Sequence, residues 1–364
     1  MSADQLLIAL MALFAVLGAL DRIFGGRFGI GREFESGILT MGSLAMAMVG
    51  IVCLAPVLAA VLRPVVVPVF RLLGADAAMF AGSILACDMG GGALARELTQ
   101  NADAAALGGV ITGSMLGATV VFTIPVAMGI LDEGDRPAMA KGILCGIITI
   151  PVGVLVGGLV AGFPLAMVAQ NLIPIVILAA LIALGLWRAE KAMVRGFELF
   201  GKGVVAVSTA GLAAAIAQSL TGWTIIPGMA SIADGFQTVG SIAIVLAGAF
   251  PLVAILTRLL RKPLLAAGKY LGINDAAAAG LIASLANSIA TFGMVKDMNP
   301  RGKVVNIAFA VSAAFVFGDH LGFTAGFAPE LLPAVILGKL SGGVSAVLVA
   351  LLLTAKEGDS TKRS

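Results

Sequence analysis

Eleven apolar stretches divide this chain, at about 5–20, 38–62, 76–98, 105–131, 137–162, 164–187, 203–219, 239–257, 276–295, 304–326 and 331–354. Each is close to the roughly 20 residues that a helix needs to cross the hydrocarbon core of a bilayer. A soluble fold of 364 residues with 60% hydrophobic and 12% charged residues could not cover its apolar side chains with a polar surface. A bilayer removes that conflict, and in hydrocarbon the backbone must satisfy its own polar groups, which favours helices. The acidic start, Met1-Ser2-Ala3-Asp4, lacks the basic region of a signal peptide, so the first stretch is read as a retained helix.

The stretches repeat. Residues 41–50 read MGSLAMAMVG and residues 239–248 read VGSIAIVLAG, an offset of 198. The same offset pairs Arg63 with Arg261, Gly74 with Gly272, Gly82 with Gly280, Asn101 with Asn299 and Ser114 with Ser312. Two structural repeats joined by a linker is a common plan among secondary transporters. The predicted division is 1–163 for repeat 1, 164–200 for a linker helix and cytoplasmic loop, 201–354 for repeat 2, and 355–364 for a short cytoplasmic tail.

The third and ninth stretches are interrupted, by Asp88-Met89-Gly90-Gly91-Gly92 and by Asn287-Ser288. Read as re-entrant hairpins, they leave nine spans, with 19 Lys and Arg on the cytoplasmic side and three (Arg63, Arg71, Arg96) outside. Read as full spans, they leave 12 inside and 10 outside in the better orientation. The excess of basic residues on the cytoplasmic side of membrane proteins favours the hairpins. Matching elements are then an odd number of crossings apart, so the copies insert with opposite topology. The expected fold is an all-α polytopic membrane protein of two inverted-topology repeats, with about nine transmembrane helices plus two re-entrant or broken helical hairpins.

Ionisable groups in hydrocarbon cost at least ~2.5 kcal/mol, so those present need a partner or a task. Asp88 lies in ACDMGGG (86–92), where three glycines favour unwinding and free carbonyl oxygens beside a carboxylate. That combination suits a cation; a cap on the following half-helix is the plainer role. Asp319 and His320 lie in FGDHLGF (317–323), with Lys339 as a candidate counter-ion of Asp319. His320 is the sole histidine, which argues against a metal centre built on imidazoles. Asn287, Ser288 and Thr291 mark the second break, where they either serve a substrate hydroxyl or tie the hairpin to its neighbours. Cys53, Cys87 and Cys145 have no metal or disulfide spacing. Glycines at 108, 109, 113 and 117, and the pairs Gly158/Gly162 and Gly338/Gly342, have the spacing of close helix packing. The run Arg188–Lys202 is expected as a solvated loop.

At these residues the chain resembles the EutH family of ethanolamine utilisation. The matching stretches include MFAGSILACDMGG (79–91), GSMLGATVVFTIPVA (113–127), GINDAAAAGLIASLANSIATFGM (272–294), RGKVVNIAFAVSAAFVFGDHLGF (301–323) and GKLSGGV (338–344). The match runs nearly end to end and thins at the termini and around 220–238. Ser288 and Ala290 stand where the family form has Asn and Pro. The resemblance implies a multi-pass permease of the bacterial inner (cytoplasmic) membrane that carries ethanolamine, which is largely protonated at neutral pH as a primary amine. Asp88 and Asp319 would supply charge, and Asn287, Thr291 and His320 polar contacts. The expected partners are the amine and the lipid bilayer, with no nucleic acid, cofactor or metal; a homo-oligomer is compatible with the sequence. A facilitative permease is the leading expectation and an H⁺- or Na⁺-coupled symporter the alternative. An intramembrane aspartyl protease would also use two membrane aspartates, but Val316 stands where its motif needs glycine.

Overall fold

The computed structural model describes residues 3–355. Lys356, Lys362 and Arg363, which the sequence puts on the cytoplasmic side, lie outside the described residues, as do the side chains of Arg261 and Lys269.

The described residues form helices joined by short turns. In chain order they are α1 (Ala3–Ile23), α2 (Ile30–Leu72), α3 (Ala78–Ile84), α4 (Gly91–Leu98), α5 (Ala102–Ile130), α6 (Arg136–Val160), α7 (Leu165–Thr221), α8 (Ile232–Leu271), α9 (Asp275–Ala286), α10 (Ser288–Met294), α11 (Pro300–Ala313), α12 (Asp319–Phe327) and α13 (Leu332–Leu353). Seven described helices are long and apolar enough to cross a membrane: α1, α2, α5, α6, α7, α8 and α13. The chain is therefore an all-helical, multi-pass membrane protein.

Three helices, α2, α7 and α8, far exceed a bilayer, at 43, 57 and 40 residues. The 57 residues of α7 would reach about 85 Å at 1.5 Å per residue, against a core of about 30 Å. They are divided by a kink at Ala189 (φ −144°, ψ 49°). The run Arg188–Lys202, expected as a loop, is helical on the far side of that kink. Its Arg, Ala, Glu, Lys and Met residues are strong helix formers, so polarity there marks a wet helix face rather than a loop.

The offset of 198 seen in the sequence recurs in backbone detail. Gly74 and Gly272 both end a long helix in the left-handed region, at φ 71° and 69°, where a side chain would be strained. Asn101 caps α5, its side chain accepting from the N–H groups of Asp103 and Ala104; Asn299 caps α11, accepting from Gly302 N–H. The breaks also correspond, with Leu85–Gly90 in the first copy and Asn287 in the second.

Each interrupted element doubles back. In the first, Gly82 sits on Gly108 and Gly113, Leu85 meets Gly117, and Ala95 returns to Gly109. The tip of α3–α4 thus lies deep along α5 while both arms start near Gly108. The base is closed by Thr99 Oγ1 donating to Asp76 Oδ2 at 2.7 Å. In the second, Asn274 Nδ2 donates to Asp297 O at 2.8 Å across the base of α9–α10. Thr291 Oγ1 lies 2.9 Å from both Ser284 Oγ and Gly280 O, joining the arms.

The expected glycine packing is present at most of the named positions. Gly338 and Gly342 on α13 face Gly153 and Gly157 on α6, and Gly158 lies against Val168 and Leu107. Gly162 instead ends α6 with φ 78° and no close neighbour.

Candidate functional site

A cavity of about 820 Å³ lies beside the chain breaks. Its deep end is lined by Asp88, Asp319, His320, Phe315 and Phe122, and its mouth by Arg136, Glu198 and Lys202. Three of the five site residues expected from the sequence are therefore brought together: Asp88, Asp319 and His320.

Asp88 sits in the single turn of 3₁₀-helix, Cys87–Met89, between the arms of the first hairpin. It does not cap α4, whose N-cap is Gly90 with no side-chain bond. Its carboxylate is instead 3.7 Å from His320 Nε2, and only 14% of the side chain is exposed. Asp319 opens α12, at the positive end of that helix, where a carboxylate is favoured.

Asp319 and His320 stand beside the second kind of break. Between Ala313 and Asp319 the chain leaves the helix, and Phe315 takes φ 62°. A bulky residue in that region is a true outlier, costing about 1–3 kcal/mol. Two backbone bonds hold it there: Phe315 N–H donates to Ser284 O at 3.0 Å, and Phe317 N–H to Leu285 O at 2.9 Å. The tip of the second hairpin thus pins the break in place.

Asn287 and Thr291 are placed differently. Asn287 caps α10, accepting from Ile289 N–H at 2.8 Å, and Thr291 is enclosed within the hairpin. Neither lines the cavity. Lys339 is buried on α13 and donates to the carbonyl oxygen of Ser114 rather than pairing with Asp319. It lies within electrostatic reach of Asp88, Cys87 and His320. The aromatic lining of Phe122 and Phe315 was not foreseen from sequence. Phenylalanine is common in membrane helices, and only the backbone outlier distinguishes Phe315.

Among the described residues, Cys87, Asp88 and His320 bring metal-ligand atoms within 4.8 Å of one another. Asp88 and Asp319 bring two carboxylates to the cavity, and the Lys339 amine lies within electrostatic reach of Asp88.

The Arg96 guanidinium lies 3.6 Å from the Phe327 ring centroid, and its Nη2 donates to Phe327 O at 3.0 Å. Phe327 stacks on Phe323 at 4.8 Å, with Gly92 against both rings.

A polytopic helical protein with a cavity lined by carboxylates and broken helices has the form of a membrane transporter. Residues 3–353 match the family described as "Ethanolamine utilisation protein, EutH". The chain is 58% identical to the "Probable ethanolamine permease EutH" of Listeria monocytogenes, over 97% of this chain and 95% of that one. It is 47% identical to the protein of that name from Escherichia coli, over 98% and 97%. It is also 49% identical to the "Uncharacterized protein YxeR" of Bacillus subtilis, over 97% and 96%. No solved structure matches. The chain belongs to the EutH family, and membership sets it among transporters rather than enzymes, which removes the protease reading.

Proposed function

We propose that this chain is an ethanolamine permease of the bacterial inner membrane, carrying the protonated amine by facilitated alternating access. The observation that carries this reading is the pair of carboxylates, Asp88 and Asp319, that line one cavity beside the chain breaks. Together they can take the N–H donors of one small ammonium ion, while the Lys339 amine stays bonded to Ser114 O outside the lining. Ethanolamine is such a cation at neutral pH, and the names of the Listeria and Escherichia relatives favour it. Asp88, Asp319 and His320 are the proposed contacts; Asn287 and Thr291 support them by holding the second hairpin.

Two inverted repeats supply the alternation. Gly153 on α6 lies against Gly338 and Gly342, and Gly157, one turn on, against Ala334 and Gly338. The partner number falls as the first rises, so α6 and α13, equivalent at the 198 offset, run antiparallel. The hairpin bases also lie at opposite ends. The first joins the end that holds Arg96–Phe327 and Arg63–Glu97. The second lies beside Gly272–Arg301, near the Lys303–Asp135 ion pair. Counting α7 as two crossings, the broken α11–α12 as one and each hairpin as none gives nine crossings. In that topology the cavity opens to the cytoplasm and the Arg96–Phe327 clamp closes the outside.

Uptake of labelled ethanolamine into proteoliposomes at acidic and neutral pH tests the reading. Wild type is expected to equilibrate the label, and Asp88→Asn to be inactive while correctly inserted. Accumulation that a protonophore or Na⁺ removal collapses replaces facilitation with symport. Normal transport by both Asp88→Asn and Asp319→Asn refutes the site.

A further inference from the structure

We propose that Phe122 and Phe315 form an aromatic wall that flanks the bound ammonium and limits the site to small primary amines. This rests on the permease reading and specifies its substrate class. Both residues line the deep end of the cavity with Asp88, Asp319 and His320. Their rings meet edge to face, with centroids 5.5 Å apart, and the Phe315 ring lies 5.3 Å from that of His320. The three rings therefore make one continuous surface beside two carboxylates.

Carboxylates alone do not distinguish an organic ammonium from Na⁺ or K⁺. An aromatic face does, because its quadrupole attracts a cation that sheds water readily and because the ring also packs against the carbon chain. The two kinds of group divide the recognition. The carboxylates take the N–H donors, which a quaternary ammonium lacks, and the rings take the flank and set the width.

The backbone supports a dedicated role for Phe315. It is the non-glycine residue with positive φ among the described residues, at 62°. Nothing in local chain preference puts phenylalanine there. The bond from its N–H to Ser284 O ties the ring's position to the second hairpin. Movement of that hairpin would therefore move the wall, so the width of the site and the alternation of access are mechanically joined.

The test uses the full-length protein with Phe122→Leu, Phe315→Leu, Phe315→Ala and Phe315→Tyr. Ethanolamine uptake and inhibition by choline are measured in proteoliposomes, and protection against thermal unfolding by ethanolamine and methylammonium is measured in detergent. The leucine variants are expected to raise the ethanolamine KM about tenfold, with a smaller change in maximal rate. Phe315→Tyr should stay near wild type, and Phe315→Ala should be inhibited by choline about tenfold more strongly than wild type. A purely structural role for the rings would lower the amount of folded protein without moving the choline-to-ethanolamine ratio. If wild type transports and Asp319→Asn does not, yet the leucine variants keep their KM and choline sensitivity, the wall falls and the permease reading stands. If wild type carries no ethanolamine but is protected by primary ammonium ions in a Phe122- and Phe315-dependent way, the wall stands and the permease reading falls. No protection of wild type by any primary ammonium ion overturns both.

Discussion

Helix α5 and its counterpart 198 residues later, α11–α12, solve one problem in two ways. Both run past a hairpin tip at mid-depth. In α5 the backbone stays helical but widens, with Ala106–Gly117 and Thr119–Thr123 wound as π-helix. In the second copy it breaks between Ala313 and Asp319. The aligned residues explain the difference. Gly117 lets the Leu85 carbonyl approach α5 directly, whereas Phe315 stands at the matching place and meets its hairpin through a backbone hydrogen bond. Val121 is matched by Asp319, and Phe122 by His320. The hairpins differ in the opposite sense, since Asp88 in the first is matched by Ala286 in the second. Charge therefore resides on one hairpin and on the broken helix of the other copy, and the fold joins them where Asp88 faces His320 at 3.7 Å. At the offset of 198 the two segments therefore hold similar helices but different charged residues.

That asymmetry is most exposed to test at the Val121/Asp319 pair. Asp319→Asn is expected to lower uptake about a hundredfold or more, because it leaves the buried group at the wrong charge, a penalty of roughly 3–5 kcal/mol. Val121→Ala, at the same place in the other copy, should change uptake less than about threefold, as a small trim of a cavity wall. Similar losses at both positions would mean that the copies share the chemistry equally.

The pair Lys141/Lys339 comes next. Lys339 is buried and bonded to Ser114 O, whereas Lys141 is exposed. Lys339→Met should cut uptake about tenfold or more by removing the buried positive charge within reach of Asp88. Lys141→Met is expected to change it by less than about twofold, as a surface charge. Uptake retained in Lys339→Met would show that this buried charge takes no part in transport.

How far the sequence discloses this arrangement follows from the kind of signal each part carries. The membrane class and the two hairpins are legible because hydrophobic runs, glycine clusters and basic-residue bias act along the chain. Asp88, Asp319 and His320 stand out because ionisable groups are expensive in hydrocarbon. The role of Asp88 was less legible. It occupies a place where a cap would serve, but the three-dimensional path makes Gly90 the cap and turns the carboxylate towards another repeat. The π-helical winding of α5 leaves no sequence mark, since it answers to the hairpin packed against it. Asn287 and Thr291 read equally as ligands or as ties, and only their bonds, Asn287 with Ile289 N–H and Thr291 with Ser284 and Gly280, separate the readings.

Those ties give a smaller, structural prediction. Thr291→Val removes two buried hydrogen-bond contacts from the second hairpin and should lower stability by about 2 kcal/mol. The ethanolamine KM of the folded fraction should remain unchanged, because Thr291 does not line the cavity. Thermal unfolding in detergent alongside uptake separates these effects, and a changed KM with unchanged stability would return Thr291 to the substrate.

The finest comparison is between the caps Asn101 and Asn299. Each side chain accepts from backbone N–H groups at the start of its helix, so each alanine substitution should cost about 1 kcal/mol from capping alone. Asn299 does more. Its Nδ2 donates to Gly272 O at 3.0 Å, linking the start of α11 to the turn after α8. The corresponding bond is not among those of Asn101, whose Oδ1 receives Asp103 and Ala104 N–H at 3.1 and 3.2 Å. Asn299→Ala should therefore lower the unfolding midpoint further than Asn101→Ala, by the worth of one extra hydrogen bond, about 1 kcal/mol. Equal losses would show that the Gly272 bond adds nothing net. A larger loss at Asn101 would reverse the ranking and make the first copy, despite its unbroken helix, the one more dependent on its cap.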